Sequence, residues 1–363
     1  MARRFPAEWE PQDGVLLAWP HDARIWGEAG LASVQAFYVE LVGAVARYET
    51  AVVAAPDPEA VGTRLDAAGV PLDSVILVAA ATNDCWTRDF GPITVLDDGA
   101  PHLLDFTFTG WGGKFPAELD DALTVRLREA GVFAPEAGYR RSTLELEGGA
   151  IETDGEGVLL TTVRCLCNPN RNGGGLAREE MERRLRFLLG LKKVHWLFYG
   201  ELMGDDTDGH VDQLARFAPG HTILYAAHPD PADAHARQLL RMETELRLLR
   251  TPEGVPYNLV PLALPAARFD ERGRRLPCSY CNFLVINGAV LVPVFDDPND
   301  AAALEAIGAA FPGREVIPLN ALPIIREGGA IHCATMQLPR GVLNIKNRST
   351  LTDSRSTVHA RRN

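Results

Sequence analysis

Short apolar runs with strand spacing alternate along this chain with longer stretches whose apolar residues recur every three to four positions. Gly14-Val15-Leu16-Leu17-Ala18-Trp19-Pro20 predicts a buried strand, and Val34, Phe37, Tyr38, Leu41, Val42 and Val45 share one face of a helix. Val52-Val53-Ala54-Ala55 predicts a second strand, residues 58–69 a short helix ended by its glycine, and Ser74-Val75-Ile76-Leu77-Val78 a third strand. Tight-turn pairs follow at Asp98-Gly99, Asp154-Gly155, Pro219-Gly220 and Asn287-Gly288, each beside short apolar strands. Helical segments are expected near 117–130, 177–189, 231–249 and 300–311.

A unit of polar cluster, strand, tight turn, strand, helix and strand therefore repeats about five times, with a period too loose for a solenoid. The predicted fold is α/β: a pseudo-symmetric single domain over 1–346, one polar cluster per unit pointing at a common axis, with a polar tail over 347–363. One echo is literal. Glu147-Gly148-Gly149-Ala150-Ile151 and Glu327-Gly328-Gly329-Ala330-Ile331 are the same pentapeptide, one followed by Glu152 and the other by His332-Cys333. We read these as related turns carrying different chemistry.

Composition narrows the function classes. The chain has 363 residues, 46% hydrophobic and 23% charged, as in ordinary globular protein, and its net charge of −12 disfavours a nucleic-acid partner and suits a cationic small substrate, with solubility alone as the plainer reading. No apolar run follows Arg3-Arg4, so no export signal is expected, and no stretch reads as a membrane span. Six cysteines are too sparse for a disulfide scaffold and fit a reducing, cytoplasmic address. Cys165-Leu166-Cys167 and Cys278-Ser279-Tyr280-Cys281 lack a histidine at ligand spacing, so no metal is expected.

Candidate chemistry gathers in separated clusters. Cys333 follows a glycine pair and an apolar alternation that would let a strand emerge from a turn and present a thiol. His210 and Asp212, two apart, would share one face of a strand with Val211 turned into the core, giving an acid/base beside an anion. The plainer alternative is a surface histidine in a turn. Asp89 sits in a loop that opens a strand, with a salt bridge to Arg88 as its plainer role, and Glu147 before two glycines is equally ambiguous. Three acids near a thiol raise its pKa unless a cation offsets them. A guanidinium, planar and always charged, is a cation that paired carboxylates can grip in a fork above the sulfur.

The clusters Trp86-Thr87-Arg88-Asp89-Phe90-Gly91-Pro92, Glu147-Gly148-Gly149, Asn168-Pro169-Asn170-Arg171-Asn172, Gly209-His210-Val211-Asp212 and Gly328-Gly329-Ala330-Ile331-His332-Cys333 resemble the agmatine deiminases and the bacterial peptidyl-arginine deiminase family around them, as does the opening from Pro6 to Val15. The resemblance runs in order through nearly the whole chain. It implies the pentein fold, a five-bladed α/β propeller with its site on the pseudo-fivefold axis, and guanidine hydrolysis with no cofactor. It makes Cys333 the nucleophile, His210 the acid/base, Asp89 and Asp212 the guanidinium clamp, and Glu147 a residue that orients His210 or holds substrate. Trp86 and Trp111 would wall the pocket, with core packing as the alternative.

Two segments depart from the agmatine deiminase pattern: Asp208, where asparagine is usual, and Glu327-Gly328-Gly329-Ala330, where Gly-Gly-Gly-Asn is usual. Both sit beside the site, so they bear on the far end of the substrate. The implied reaction converts agmatine to N-carbamoylputrescine and ammonia, a step toward putrescine. Deimination of peptidyl arginine is the near alternative, and a non-catalytic binding protein of the same fold the distant one. A homodimer is compatible with the resemblance; neither nucleic acid nor membrane is an expected partner.

Overall fold

The computed structural model describes residues 3–344, so the tail expected over 347–363 lies outside the described residues. Five separate sheets share one plan: an antiparallel pair, then a strand added in parallel after a crossover. In the first, Ile93–Asp97 and Ala100–Thr107 form the pair, Gly138–Glu145 adds in parallel, and Arg3–Arg4 lines the edge. The second combines Ile151–Thr153, Val158–Thr162 and Lys193–Leu197; the third Ala215–Ala218, Thr222–Ala227 and Asn258–Ala263; the fourth Leu284–Ile286, Ala289–Val294 and Glu315–Asn320. The fifth comes from both ends of the chain. Met336–Pro339 lies antiparallel to Gln12–Ala18, and Thr50–Ala55 and Val75–Ala79 follow in parallel. The five-unit series expected from the repeating pattern thus closes on itself, and one apolar cluster runs from Phe5 to Leu343 through all of it.

Local chemistry explains the elements. Asp98 and Gly99 both take positive φ, at 50° and 88°, the twist that joins two right-handed strands in two residues. Asp22 caps the helix Ala23–Ala46 by accepting from the backbone of Arg24, and Asp57 caps Pro58–Ala67, where proline occupies the first turn. The long helix corrects one expectation. Ala23–Ala46 is long and apolar enough to cross a membrane, with a mean hydropathy of 1.5 over its best window. Its charged residues are too few to break the apolar average, but Val34, Phe37, Tyr38, Leu41, Val42 and Val45 lie buried against the neighbouring strands. That is the face a core helix needs.

The feature that positions the site is what precedes each sheet. Short turns at Thr87–Phe90, Gly148–Ala150, Val211–Gln213, 279–282 and 331–334 lead into the first strands of the five units. They touch one another: Gly149 N donates to Asp89 at 3.0 Å, Arg88 N to the Cys333 carbonyl at 3.2 Å, Asn282 to Asp212 at 3.2 Å, and His332 N to the Asn282 carbonyl at 3.1 Å. His210 and Asp212 therefore lie in a tight turn, not on the strand their spacing suggested, because the strand of that unit starts only at Ala215. Asp89 likewise sits in a single helical turn rather than a loop.

Beneath these turns lies a second buried layer of charge. Arg216 pairs with Glu152 at 2.9 Å and Glu8 at 3.2 Å, and donates to the carbonyls of Cys281 and Phe283. Arg88 pairs with Glu8 at 3.4 Å and bonds Gln337. A cavity of about 460 Å³, open to solvent and lined by Phe5, Glu8, Arg88, Glu152 and Met336, borders this layer rather than the thiol. Removing one partner of a buried pair strands the other, so Arg216→Ala is expected to lower stability by about 3–5 kcal/mol. A fall in the urea midpoint of the variant checks this, and an unchanged midpoint contradicts it.

Candidate active site

Gly149 shows how tightly the turns converge. A Cβ placed on it would lie 2.5 Å from His210 Nδ1, 2.9 Å from Asp89 Oδ1 and 3.2 Å from Asp212 Oδ2. Its counterpart in the repeated pentapeptide does the same on the opposite wall: a Cβ on Gly329 would lie 2.4 Å from the Trp86 ring and 2.9 Å from Cys333 Cβ. Both glycines let backbone approach the reacting groups. The glutamates before them diverge, since Glu147 is buried and Glu327 is exposed. The expected kinship of the two turns does not hold in conformation: Glu147 precedes the short helix Gly148–Ala150, whereas Glu327 ends the short helix Ile325–Glu327 and Gly328 turns left-handed with φ 93°.

Cys333 sits in the turn before Met336–Pro339, so the thiol precedes its strand instead of ending one. Its Sγ is 3.5 Å from Asp212 Oδ2 and receives the Asn282 amide at 3.1 Å, with Gln213 at 3.9 Å. Burial and the carboxylates of Asp212 and Asp89 push this thiol well above its ordinary pKa. His210 is fully buried, its Nδ1 3.6 Å from Asp89 and its Nε2 3.6 Å from Glu147. Burial alone would lower its pKa, but Asp89, Cys165 and Glu147 together hold it well above the imidazole range. Burial pushes Asp89 up to about 6, with His210 opposing and Asp212 and Glu147 adding to the rise. Asp212 stays below its ordinary value: burial disfavours its charge, and His332, His210 and Arg216 together more than offset that.

Trp111 is buried and bonded to one of the candidate carboxylates. Its indole N–H donates to Asp89 Oδ2 at 2.9 Å, and Trp111 itself holds a φ of 57°. Trp86 packs beside Cys333 and against Trp26. Arg88, the expected partner of Asp89, turns instead to Glu8 and to the His332 carbonyl.

Several groups escaped sequence reasoning. Arg171 grips both oxygens of Glu147 at 2.9 and 3.0 Å and reaches Asp208 at 2.7 Å. Against the cost of burial, His210 and Arg171 keep Glu147 ionised below its ordinary pKa. Asp208 also pairs with Lys114 at 2.8 Å, and Lys114 donates to the Asp206 carbonyl at 2.5 Å. Lys114 thereby ties the segment carrying Trp111 to the turn carrying His210. Asn282 and His332 complete the ring, each from a turn that leads into a sheet. The five-unit pattern held the signal for Asn282, because only the fourth unit had no cluster assigned.

Asp212 Oδ1, Gln213 Oε1 and both ring nitrogens of His210 are buried and make no hydrogen bond with described residues. Such groups are costly unless a ligand meets them. Glu147, Cys165 and His210 place their donor atoms within 4.8 Å of one another, a set a thiophilic cation could use. The Arg171 guanidinium, already on both Glu147 oxygens, opposes a second positive charge there.

Residues 4–339 match the Porphyromonas-type peptidyl-arginine deiminase family. The chain belongs to that family. An agmatine deiminase of Pseudomonas aeruginosa is 34% identical, covering 93% of this chain and 95% of the relative. A provisionally assigned arginine deiminase from Porphyromonas gingivalis superposes with a TM-score of 0.86 at 44% identity, over 94% of this chain and 99% of that one. An agmatine deiminase from C. jejuni with substrate bound gives 0.86 at 32% identity, over 93% and 97%. The five-unit architecture is therefore the pentein fold of these deiminases.

For a deiminase of this kind, Gly149→Ala is a sharp probe because the methyl enters the space between His210, Asp89 and Asp212. Misplacing reacting groups by about 1 Å costs on the order of 100-fold in rate. A drop of that size in kcat/KM is expected while the far-UV circular dichroism stays unchanged; near-normal kinetics would contradict the convergence.

Proposed function

We propose that this chain is an agmatine deiminase, hydrolysing the guanidinium of agmatine to N-carbamoylputrescine and ammonia through a covalent amidino-cysteine intermediate. The observation that carries the reading is electrostatic. Among the described residues, Asp89 and Asp212 are buried beside the thiol with no arginine or lysine paired to either. The site beside the thiol is thus short of positive charge, and Asp212 Oδ1 has no donor. A flat cation with N–H donors supplies both. Relatives named agmatine deiminase, similar over nearly the whole chain, support agmatine as that cation.

In this mechanism Asp89 and Asp212 receive the guanidinium N–H groups. The substrate's charge also lowers the cost of ionising the Cys333 thiol, which the protein alone holds high, and the thiol proton passes to solvent as the cation binds. The thiolate then attacks the guanidinium carbon, forming a C–S bond. His210, protonated because three acidic neighbours surround it, gives its proton to the departing nitrogen as the C–N bond breaks and ammonia leaves. The neutral imidazole next takes a proton from water, whose oxygen attacks the same carbon. The C–S bond breaks, releasing the ureido product and restoring the thiolate. Glu147, anchored by Arg171, holds His210 in place. Six unpaired thiols support a reducing, cytoplasmic setting as part of this proposal.

A colorimetric ureido assay with agmatine, free arginine and a blocked arginine peptide in parallel tests the substrate. Product from agmatine alone is expected, and product from the peptide alone would move the assignment to the peptidyl substrate. Cys333→Ser should lower kcat by about a thousandfold or more with agmatine binding retained; turnover near the parent rate would remove the covalent mechanism.

The pH profile gives an independent check. Asp89 titrates at about 6 and grips substrate only when ionised, so kcat/KM is expected to fall as pH drops through about 6. Asp89→Asn should abolish that acidic limb, whereas a limb persisting in the variant would assign it to another group.

A further inference from the structure

His332 belongs to the same turn as Cys333, and its Nδ1 and the Cys333 sulfur approach the same Asp212 oxygen, yet no role for it follows from the chemistry above. Its ring lies between two carboxylates: Nδ1 is 2.8 Å from Asp212 Oδ2, and Nε2 is 2.8 Å from Glu8 Oε2. The ring is almost completely buried. Behind it, Glu8 is fixed by the guanidiniums of Arg216 and Arg88 at 3.2 and 3.4 Å and by the backbone N–H of Val285 at 2.7 Å. In front, Asp212 Oδ2 also receives Asn282 at 3.2 Å, while Oδ1 stays without a donor.

These contacts restrict where protons sit. Two nitrogen-to-carboxylate contacts of 2.8 Å each need a proton, so the three groups share one more proton than a neutral ring between two carboxylates would hold. Burial, Arg216 and Arg88 lower the proton affinity of the ring, against the pull of Glu8 and Asp212. Glu8 and Asp212 are both held below the ordinary carboxylate range, so the ring is the group left to carry that proton, and the two bonds together hold the Asp212 carboxylate against rotation. Its free oxygen is the one without a partner.

We propose that His332 is a positioning residue for guanidinium recognition: by bonding Asp212 Oδ2 and anchoring on Glu8, it turns Asp212 Oδ1 toward the substrate. This rests on the reading of Asp212 as half of the guanidinium clamp. It also assigns a purpose to the buried N-terminal segment. Glu8, with Arg88 and Arg216 behind it, is the fixed wall from which the clamp is held.

The two ring nitrogens can be mimicked separately. Asparagine places its amide nitrogen near Nδ1 and keeps a donor for Asp212; glutamine reaches further and keeps a donor for Glu8. His332→Asn is therefore expected to retain kcat/KM for agmatine within about tenfold of the parent. His332→Gln should lose about 100-fold or more, mainly through KM. Both should lose similar thermal stability, since each removes one buried bond. Agmatine affinity in a Cys333→Ser background should follow the same order.

Equal losses in the two variants, or better retention by glutamine, would overturn the proposal. Because either variant could fold poorly, a second measurement uses the unsubstituted protein. Two strongly downfield, exchange-protected histidine N–H protons are expected by NMR, and the one facing Asp212 should shift when agmatine binds to the Cys333→Ser protein. A single such signal, or two indifferent to agmatine, would also overturn it. If the parent itself turns over no agmatine, the functional reading fails; if it does and the variants disagree with this order, only the role of His332 fails.

Discussion

Carboxylates that water cannot reach must be met by cations or hydrogen bonds, and this one constraint organises the centre of the protein. Glu8, Glu147 and Glu152 each have an arginine within 2.9 to 3.2 Å. Asp89 and Asp212 have none at such distances and rely on Trp111, Gly149, Asn282 and His332. The division separates a structural layer, where charge is balanced within the chain, from a reactive layer, where it is deliberately left incomplete. Desolvation makes that incompleteness expensive, and the same expense becomes affinity for a matching cation.

The same layer bears on how an unpromising thiol would serve as a nucleophile in the proposed reaction. Cys333 is buried beside two acids and is held in its protonated form. A cysteine activated in the resting state would be open to oxidation and alkylation. In the proposed reaction the cation that is to be attacked also supplies the charge that frees the thiolate, which would confine reactivity to the occupied site. Asn282, donating to the sulfur, is a direct hydrogen bond to it from a neighbouring unit.

Pseudo-symmetry makes this economical to build. Each unit contributes one lead-in turn, and turns can differ in sequence without disturbing the sheets that follow. The repeated pentapeptide shows the principle at its clearest: Gly149 and Gly329 both clear space at the axis, while Glu147 orients an imidazole and Glu327 lies exposed. The closing pair, Met336–Pro339 on Gln12–Ala18, then holds the fifth turn against the first. Nucleophile geometry therefore depends on the two ends of the chain meeting, and the Glu8 anchor lies in one of those ends.

Much was readable before any coordinates. Period-two runs, turn pairs such as Asp98-Gly99 and the five-unit repeat determined the sheets, because alternation and positive-φ turns are local properties of sequence. Cys333, His210, Asp89, Asp212 and Glu147 stood out as candidates by residue type and flanking glycines, while the roles given to them came from the resemblance to the deiminases. Folding alone decided the rest. Arg171 on Glu147, Lys114 on Asp208, and His332 between Asp212 and Glu8 join residues up to 324 positions apart, and no local pattern encodes such partners. Even the tight turn at Val211 was misjudged from spacing, since two residues apart looks the same on a strand as at the lead-in to one. Which carboxylate is balanced and which waits for substrate is a question of distance in space, and distance is what a chain acquires only when its five units close around an axis.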